Sequence, residues 1–570
     1  MPHPNPASRT ARASSPRHRP RAKDETVKET FESIIIAFIL AFVFRAYVVE
    51  AFVIPTGSMA PTLLGEHVRI TCVQCGYQFT SDPDELRADP PPPRRALQAR
   101  KRSYLTVAAD AVCPMCHFPN HLPGGRRHPT RVSSGDRILV HKYIYSILEP
   151  RRWDVVVFKN PYDPDINFIK RLVGLPQEQL ALVEGNVYVR SMKPESPGES
   201  GAWRIARKTD PRENRQALRV QRAVWRPVYH SQYVPIDVSS GRPDPSRARH
   251  PWRPPWVADD ASGLSAWVLD GRGGYRHESA EEGTIRFDFD RALDQSVGLW
   301  PYNQLKFKQP NPSPVEDVRL AVAVMPDTAD LSIRLQTTSR LDDPEGNVHV
   351  LAASIDPEGK ARLVRLDPRT ARSTVLGAPV QVGPLEPGRT RDVELWYVDQ
   401  EASVWVDGRQ CLVHRFDLPF EKVLSRRSPA LYPEVSISIG GTPATLTRVE
   451  LDRDLHYSGA KPGSTLPGRS VVLKPREGVE NGRPLHLDED EFFCLGDNSP
   501  WSHDGRFWND LEPWIEHKHL SRKEGPRRLG IVPRNLLMGR AFFVYWPAPW
   551  RWTPDQMAFV PNFAKMRLIR

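Results

Sequence analysis

The sequence predicts a mainly β protein carried behind one N-terminal membrane-spanning helix. Two observations carry that expectation. Short apolar runs that alternate with polar residues, each closed by turn residues, recur through most of the chain. One apolar stretch, near the N-terminus, has the greasy, uninterrupted character of a span rather than of a strand. At 570 residues the chain is too long for one ordinary core, which points to several domains. Its 57 prolines, 35 glycines and 26% charged residues fit loops and linkers around globular parts.

Residues 1–26 are polar and rich in proline and arginine, the composition of a disordered basic tail. Residues 27–48 hold the apolar run Ile34 to Phe44, flanked by Glu32 and Arg45, which can snorkel toward opposite interfaces. A cleaved signal peptide is the competing reading, but no small-x-small site follows the run cleanly. The basic tail orients such a span with the remainder of the chain outside the cytoplasm. The alternating "YVVEAFVIP" (Tyr47 to Pro55) leads into residues 49–66, and 67–130 form an insert bearing Cys72, Cys75, Cys113 and Cys116. Residues 131–193 are strand-like ("GDRILVHKYIYSILEPRRWDVVVFKNP", "NFIKRLVGLP"), and 194–260 read as an Arg/Pro-rich linker. From 261 to 458 regular short strands predict a β-sandwich, with Asp407-Gly408 as the two-residue turn of a hairpin. Residues 459–548 return to strand-like segments, and 549–570 are a C-terminal tail.

The net charge of +11 is modest and dispersed, and no groove-reading motif is present, so nucleic acid is not expected as a partner. Two CxxC pairs at Cys72/Cys75 and Cys113/Cys116 match the thiolate spacing of a zinc ribbon. Four thiolates would leave no open position, making such a zinc structural. The same cysteines could form two disulfides in an oxidising compartment, or a redox pair. Cys411 and Cys494 stand alone and are expected as buried free thiols.

Three separated segments form the chemical constellation: "PTGSMAPTL" (Pro55 to Leu63), "DVVVFKNP…NFIKRLVGLP" (Asp154 to Pro176) and "FCLGDNSPWSHDGRFW" (Phe493 to Trp508). In this order, after an N-terminal anchor, they resemble the boxes of bacterial type I signal peptidases, membrane-bound serine endopeptidases. The resemblance covers about residues 27 to 66, 131 to 190 and 470 to 548. It implies Ser58 as nucleophile and Lys170 as general base, with Thr56 Oγ1 and the Ser58 N–H holding the oxyanion. In this family serine is commoner at the Thr56 position; threonine keeps the donor and adds a methyl. Ser502 matches the residue that orients the lysine amine, Asp504 and Arg506 match an ion pair of that loop, and Asp497 and Asn498 open the box. Ser499-Pro500-Trp501 departs from the family's Arg-Asp-Asn, and Asn509 to Arg528 is an extra insertion.

The chemistry agrees with the assignment. A serine hydroxyl needs a neighbour to remove its proton. A solvated lysine, titrating near ~10.4, is neutral in only about one molecule in 2,500 at pH 7. Half-neutralising it takes about 4.6 kcal/mol, which full burial can supply. Strand alternation turns Lys170 away from Arg171, so one can enter an apolar site while the other stays solvated.

The resemblance therefore implies an antiparallel β catalytic domain at the outer face of the inner membrane, interrupted by the ribbon-like insert and the sandwich. Its substrates would be preproteins with small-x-small cleavage sites at the lipid bilayer, and no cofactor is needed for catalysis. The sandwich resembles concanavalin A-like (laminin G-type) jelly rolls through "DVELWYVDQEASVWVDGRQ" and "RVELDRDLHY". That leaves a glycan or protein ligand, or an inert spacer, open, with Trp396 and Trp405 expected in the core. The rival readings are a membrane-anchored binding module with an inactive peptidase core, and a redox or metal-delivery protein built on the CxxC pairs.

Overall fold

The computed structural model describes residues 22–83, 108–124, 130–192, 201–236, 252–259, 266–269, 273–289, 291, 314–340, 347–425, 431–457, 471–472, 484–499, 502–508, 530–547 and 563–570. The basic tail before residue 22, the Pro90 to Arg102 tract, Pro500-Trp501 and the Asn509 to Arg528 insertion lie outside these residues.

The chain divides into two units, Met1–Glu50 and Ala51–Arg570. The first holds a 26-residue helix, Ala22–Tyr47. Its described apolar side chains from Phe31 to Leu40 are all exposed, from 45% at Ile34 to 63% at Phe31. Lys28 and Glu32 pair one turn apart at 3.7 Å. Among the described residues no helix is long and apolar enough to cross a membrane; the described side chains of this helix end at Leu40.

In the second unit an antiparallel sheet runs in the order Arg137–Lys142, Leu537–Trp546, Val155–Asn160, Asp163–Gly174, Glu491–Leu495 and Ile531–Pro533. Its central strands are apolar on both faces, because both faces are covered. Val155 and Val157 pack with Ile54, Met59, Leu63, Ile138, Val140 and Ile169 on one side. Val156 and Phe158 pack with Leu172, Phe492, Cys494 and Trp508 on the other. A smaller sheet joins Arg204–Ile205, Asn186–Ser191 and Glu178–Val183, with Val471–Val472 and Leu485–His486 both on the last.

The sandwich has two eight-stranded sheets. One contains Val318–Pro326 between Ala444–Arg453 and Arg391–Val398; the other contains Ser332–Ser339 between Val435–Gly440 and His349–Ile355. Leu320, Val322, Leu335, Ile437 and their neighbours fill the space between them. Asp407 and Gly408 have φ of 49° and 75°, the left-handed pair that a two-residue hairpin demands.

Three expectations change. The stretch read as linker folds over residues 201–236, into Arg204–Ile205, a helix Ala217–Val224 and a strand Arg226–His230. Its charges suggest a solvated linker, but they are paired with distant partners: Arg207 with Asp417, Lys208 with Asp399 and Asp454, Glu213 with Arg152. In addition, Arg226–His230 belongs to the sandwich, pairing with its strand Ala444–Arg453, and part of the C-terminal tail, Arg567–Leu568, joins the first sheet beside Phe543 and Val544. Of the two lone cysteines, Cys494 is buried, whereas Cys411 is only half-buried; both are free thiols.

Candidate active site

Ser58 sits in a single 3₁₀ turn, Gly57–Met59, entered through an extended Thr56 (φ −130°, ψ 158°). Met59 is buried and anchors the turn in the core below, leaving Ser58 half-buried and Thr56 exposed. Lys170 comes from the strand Asp163–Gly174, opposite Val156. Its Nζ donates to Ser58 Oγ at 2.6 Å, although 112 residues separate the two. The Nζ also lies 5.1 Å from the Phe168 ring, two residues away on the same strand face.

Lys170 is 3% exposed. Burial pushes its amine down to about 8, against the opposing pull of Asp504, Cys494 and Asp497, with Arg506 adding to the depression. Arg171, expected on a solvated face, is fully buried instead. Its guanidinium forms a two-pronged bond to Asp497, Nε to Oδ1 at 2.7 Å and Nη2 to Oδ2 at 2.6 Å. That is the geometry in which a buried arginine is tolerated. Burial alone would raise the Asp497 carboxyl, but Arg171 holds it below the usual carboxylate range.

The third segment closes over the serine turn. Asn498 donates from its backbone N–H to Ser58 O at 3.1 Å and from Nδ2 to Gly57 O at 3.0 Å. Asp504 accepts from the Gly496 N–H at 2.9 Å and from Arg506 Nε and Nη2 at 2.9 and 2.8 Å. Arg506 also donates to Ser499 Oγ and Ser499 O, so Ser499 is tied to this ion pair. Gly496 is required by space: a Cβ there would collide with Ser502 Oγ and Ser58 O. Ser502 is buried in the same place, and its N–H donates to Asn498 O at 2.8 Å. Its Oγ, expected on the lysine amine, has no hydrogen-bond partner among the described residues. Thr56 makes no capping bond with its side chain.

Sequence reasoning missed Arg171, Thr62 and Gly496. Thr62 Oγ1 donates to Asp497 Oδ2 at 2.6 Å, so the Ser58, Lys170 and Asp497 segments meet in one knot. The "GDN" triplet carries a signal for Gly496, since a glycine inside an apolar strand end marks close approach.

The four cysteines come together on two hairpins, Val68–Thr71 with Gln78–Ser81 and Ala109–Val112 with Pro119–Leu122. Each presents the same knuckle: Gly76 N–H returns to Cys72 O, and His117 N–H to Cys113 O, both residues having positive φ. All four Sγ atoms lie within 4.8 Å of one another, with Cys72–Cys116 and Cys75–Cys113 at 3.5 Å. Those separations are far longer than a disulfide bond of ~2.0 Å and suit thiolates around one tetrahedral ion with Zn–S of ~2.3 Å. Cys72, Cys75, Cys113 and Cys116 thus fit a closed zinc site. Two other acidic groupings already hold a cation of the chain itself: Arg319 at Glu450 and Asp452, and Lys208 at Asp399 and Asp454.

A family profile described as signal peptidase, peptidase S26, matches residues 103–234, which include Lys170. The chain is similar to signal peptidase I of Pseudomonas aeruginosa, 36% identical over 103 residues that cover 15% of this chain and 36% of that one. It is similar to signal peptidase I of Rickettsia prowazekii, 26% identical over 171 residues covering 30% and 46%. Signal peptidase I of Aquifex aeolicus is 50% identical over 53 residues, 9% of this chain and 20% of that one. The chain therefore spans less than half the length of these curated relatives. Among solved structures it is similar to a carbohydrate-binding module, CBM66, of Bacillus subtilis (9% identity, 35% of this chain, 95% of that one, TM-score 0.22). The exoplasmic/lumenal domain of VIP36 also matches (14% identity, 35% and 84%, TM-score 0.23).

Proposed function

We propose that the protein is a membrane-anchored signal peptidase that removes N-terminal signal peptides with a Ser58/Lys170 dyad. The observation that carries this reading is the 2.6 Å contact between a buried lysine amine and a half-buried serine hydroxyl. The profile match over residues 103–234, which include Lys170, and the similarity to signal peptidases I support it.

Neutral Lys170 takes the Ser58 proton as Oγ attacks the scissile carbonyl. The Ser58 N–H and Thr56 Oγ1 hold the oxyanion. Asn498, bonded to Gly57 O and Ser58 O, keeps the turn from rotating those donors away. The Lys170 ammonium then gives its proton to the leaving amine, and the regained base activates the water that releases the acyl group. Every step uses groups of the chain itself. Substrate can add as a strand beside Asn167–Ile169. There the Asp163–Gly174 strand pairs with Val155–Asn160 on one edge, and its partner Glu491–Leu495 engages only Arg171, Leu172 and Gly174.

The helix Ala22–Tyr47 is read as the anchor through its apolar run from Ile34, whose large described side chains to Leu40 are all exposed. The arginines ahead of it then remain cytoplasmic and the unit Ala51–Arg570 lies outside. The thiolate cluster is read as a structural zinc site, and the sandwich as the place for any glycan or protein ligand.

The test uses the full chain in detergent with a signal-peptide substrate ending small-x-small. Cleavage that vanishes in both Ser58→Ala and Lys170→Ala, with unfolding transitions retained, supports the reading. A folded parent that cleaves no signal peptide leaves the inactive-core binding module in its place.

A further inference from the structure

The catalytic knot is reached by one charge from outside the three segments that form it. Arg226 opens the strand Arg226–His230, whose backbone position is fixed by pairing with the sandwich strand Ala444–Arg453, Arg226 opposite Arg453. It is 6% exposed. Among the described residues it makes no ion pair; its Nη2 donates to Thr62 Oγ1 at 3.5 Å.

From Thr62 the connection is short. Thr62 Oγ1 donates to Asp497 Oδ2 at 2.6 Å, and Asp497 is gripped by Arg171. Arg171 is the chain neighbour of Lys170. Asn498, which clamps Gly57 O and Ser58 O, is the chain neighbour of Asp497. The carboxylate therefore ties together the chain neighbours of Lys170 and of the Ser58 clamp, and Arg226 reaches it through Thr62. A buried guanidinium without a partner is costly, and Arg226 accordingly lies low, at about 10, chiefly through burial, with Asp497 the leading opposing charge.

We propose that Arg226, supplied by the β-sandwich, is a positioning residue for the Ser58–Lys170 pair, acting through Thr62 and Asp497. The inference rests on the peptidase reading of those two residues and makes the sandwich a working part of the site. Its consequence is directional. With Arg226 present, Asp497 is shared between two cations and attracts the Lys170 ammonium less. Without it, Asp497 pulls harder and the amine keeps its proton to higher pH. The other groups facing Lys170 are Ser58, Cys494, Asp504 and Arg506.

The experiment compares the parent with Arg226→Met, Arg226→Lys and Thr62→Val, all as full chains in detergent. Cleavage of a signal-peptide substrate is followed across pH, and the Lys170 amine is titrated by NMR of labelled lysine, assigned with Lys170→Ala. Arg226→Met and Thr62→Val should each lower kcat about tenfold with KM within about twofold. The acid limb and the amine titration of Arg226→Met should both move up by roughly half a pH unit. Arg226→Lys should recover most of the loss. Parental kcat, acid limb and titration in Arg226→Met overturn the proposal. If that variant does not fold, parental kcat in Thr62→Val overturns it instead. If the parent cleaves nothing while the titration still moves, the proteolytic reading falls and the coupling stands.

Discussion

Lys170 has left water almost completely, and that single fact fixes how activity and stability should respond to pH. Its folded-state titration near 8 lies below the 10.5 of a free lysine. Catalysis needs the neutral amine, so kcat should fall on the acid side of about pH 8 and level off above it; a pH–rate profile with a flat acid side would remove Lys170 from the base role. Stability runs by the same linkage. A folded value below the unfolded one is a penalty fully present below pH 8, relieved as pH rises toward 10.5. Lys170→Met should therefore abolish cleavage while stabilising the fold by on the order of 3 kcal/mol at pH 7, read as a raised denaturation midpoint. Gly496→Ala should do the reverse to the fold. Its Cβ meets Ser58 O, which cannot move without carrying the nucleophile with it, so both midpoint and kcat should drop. The Ser58 and Lys170 pairing was legible because the two chemistries need each other and each stands in a short specific segment. Arg171 was not: alternation correctly sends it to the other face, but only a carboxylate 326 residues away makes that face a buried one.

The hairpins that carry the CxxC pairs show what short elements need to hold together. Each hairpin has four-residue strands, and isolated hairpins of that size are marginal in water. Four convergent thiolates supply the missing cross-link when they share an ion. The purified protein should contain close to one zinc per chain. Stripping it with a strong chelator, or changing Cys72 and Cys113 to serine, should lower the midpoint of the ribbon's unfolding; metal-free protein of unchanged stability would contradict this. Zinc binding should matter little to kcat, because no cysteine of the cluster contacts Ser58 or Lys170 among the described residues. The elements themselves were readable where their signal is local: the Asp407-Gly408 hairpin, the alternating sandwich strands, the paired knuckles. The segment 201–236 was not, because its order comes from ion pairs across long sequence distances. Its helix Ala217–Val224 is too short to announce itself by periodicity.

Across the unit Ala51–Arg570, the sandwich is joined to the other two sheets by buried charge rather than by a tether. Lys208, from the stretch before the sandwich, donates to Asp399 of one sandwich loop at 2.7 Å and pairs with Asp454 at 2.9 Å. Arg340 of the sandwich reaches back to Glu184 at 2.9 Å. Tyr457 bridges to Gly185, beside the small sheet. Asp317 lies against the same carboxylates, and burial together with Asp399 and Asp454 pushes it well above the usual carboxylate range. Lys208 is thus the cation placed against the buried carboxyls of Asp399 and Asp454. Lys208→Met removes it and leaves two buried carboxylates uncompensated, a loss of about 3–5 kcal/mol. Denaturation followed separately by sandwich tryptophan fluorescence and by peptide cleavage should show both probes shifting together in this variant. An insert hung on flexible linkers would instead lose its own signal and leave cleavage at the parental midpoint, and that outcome would return the sandwich to the status of an independent passenger.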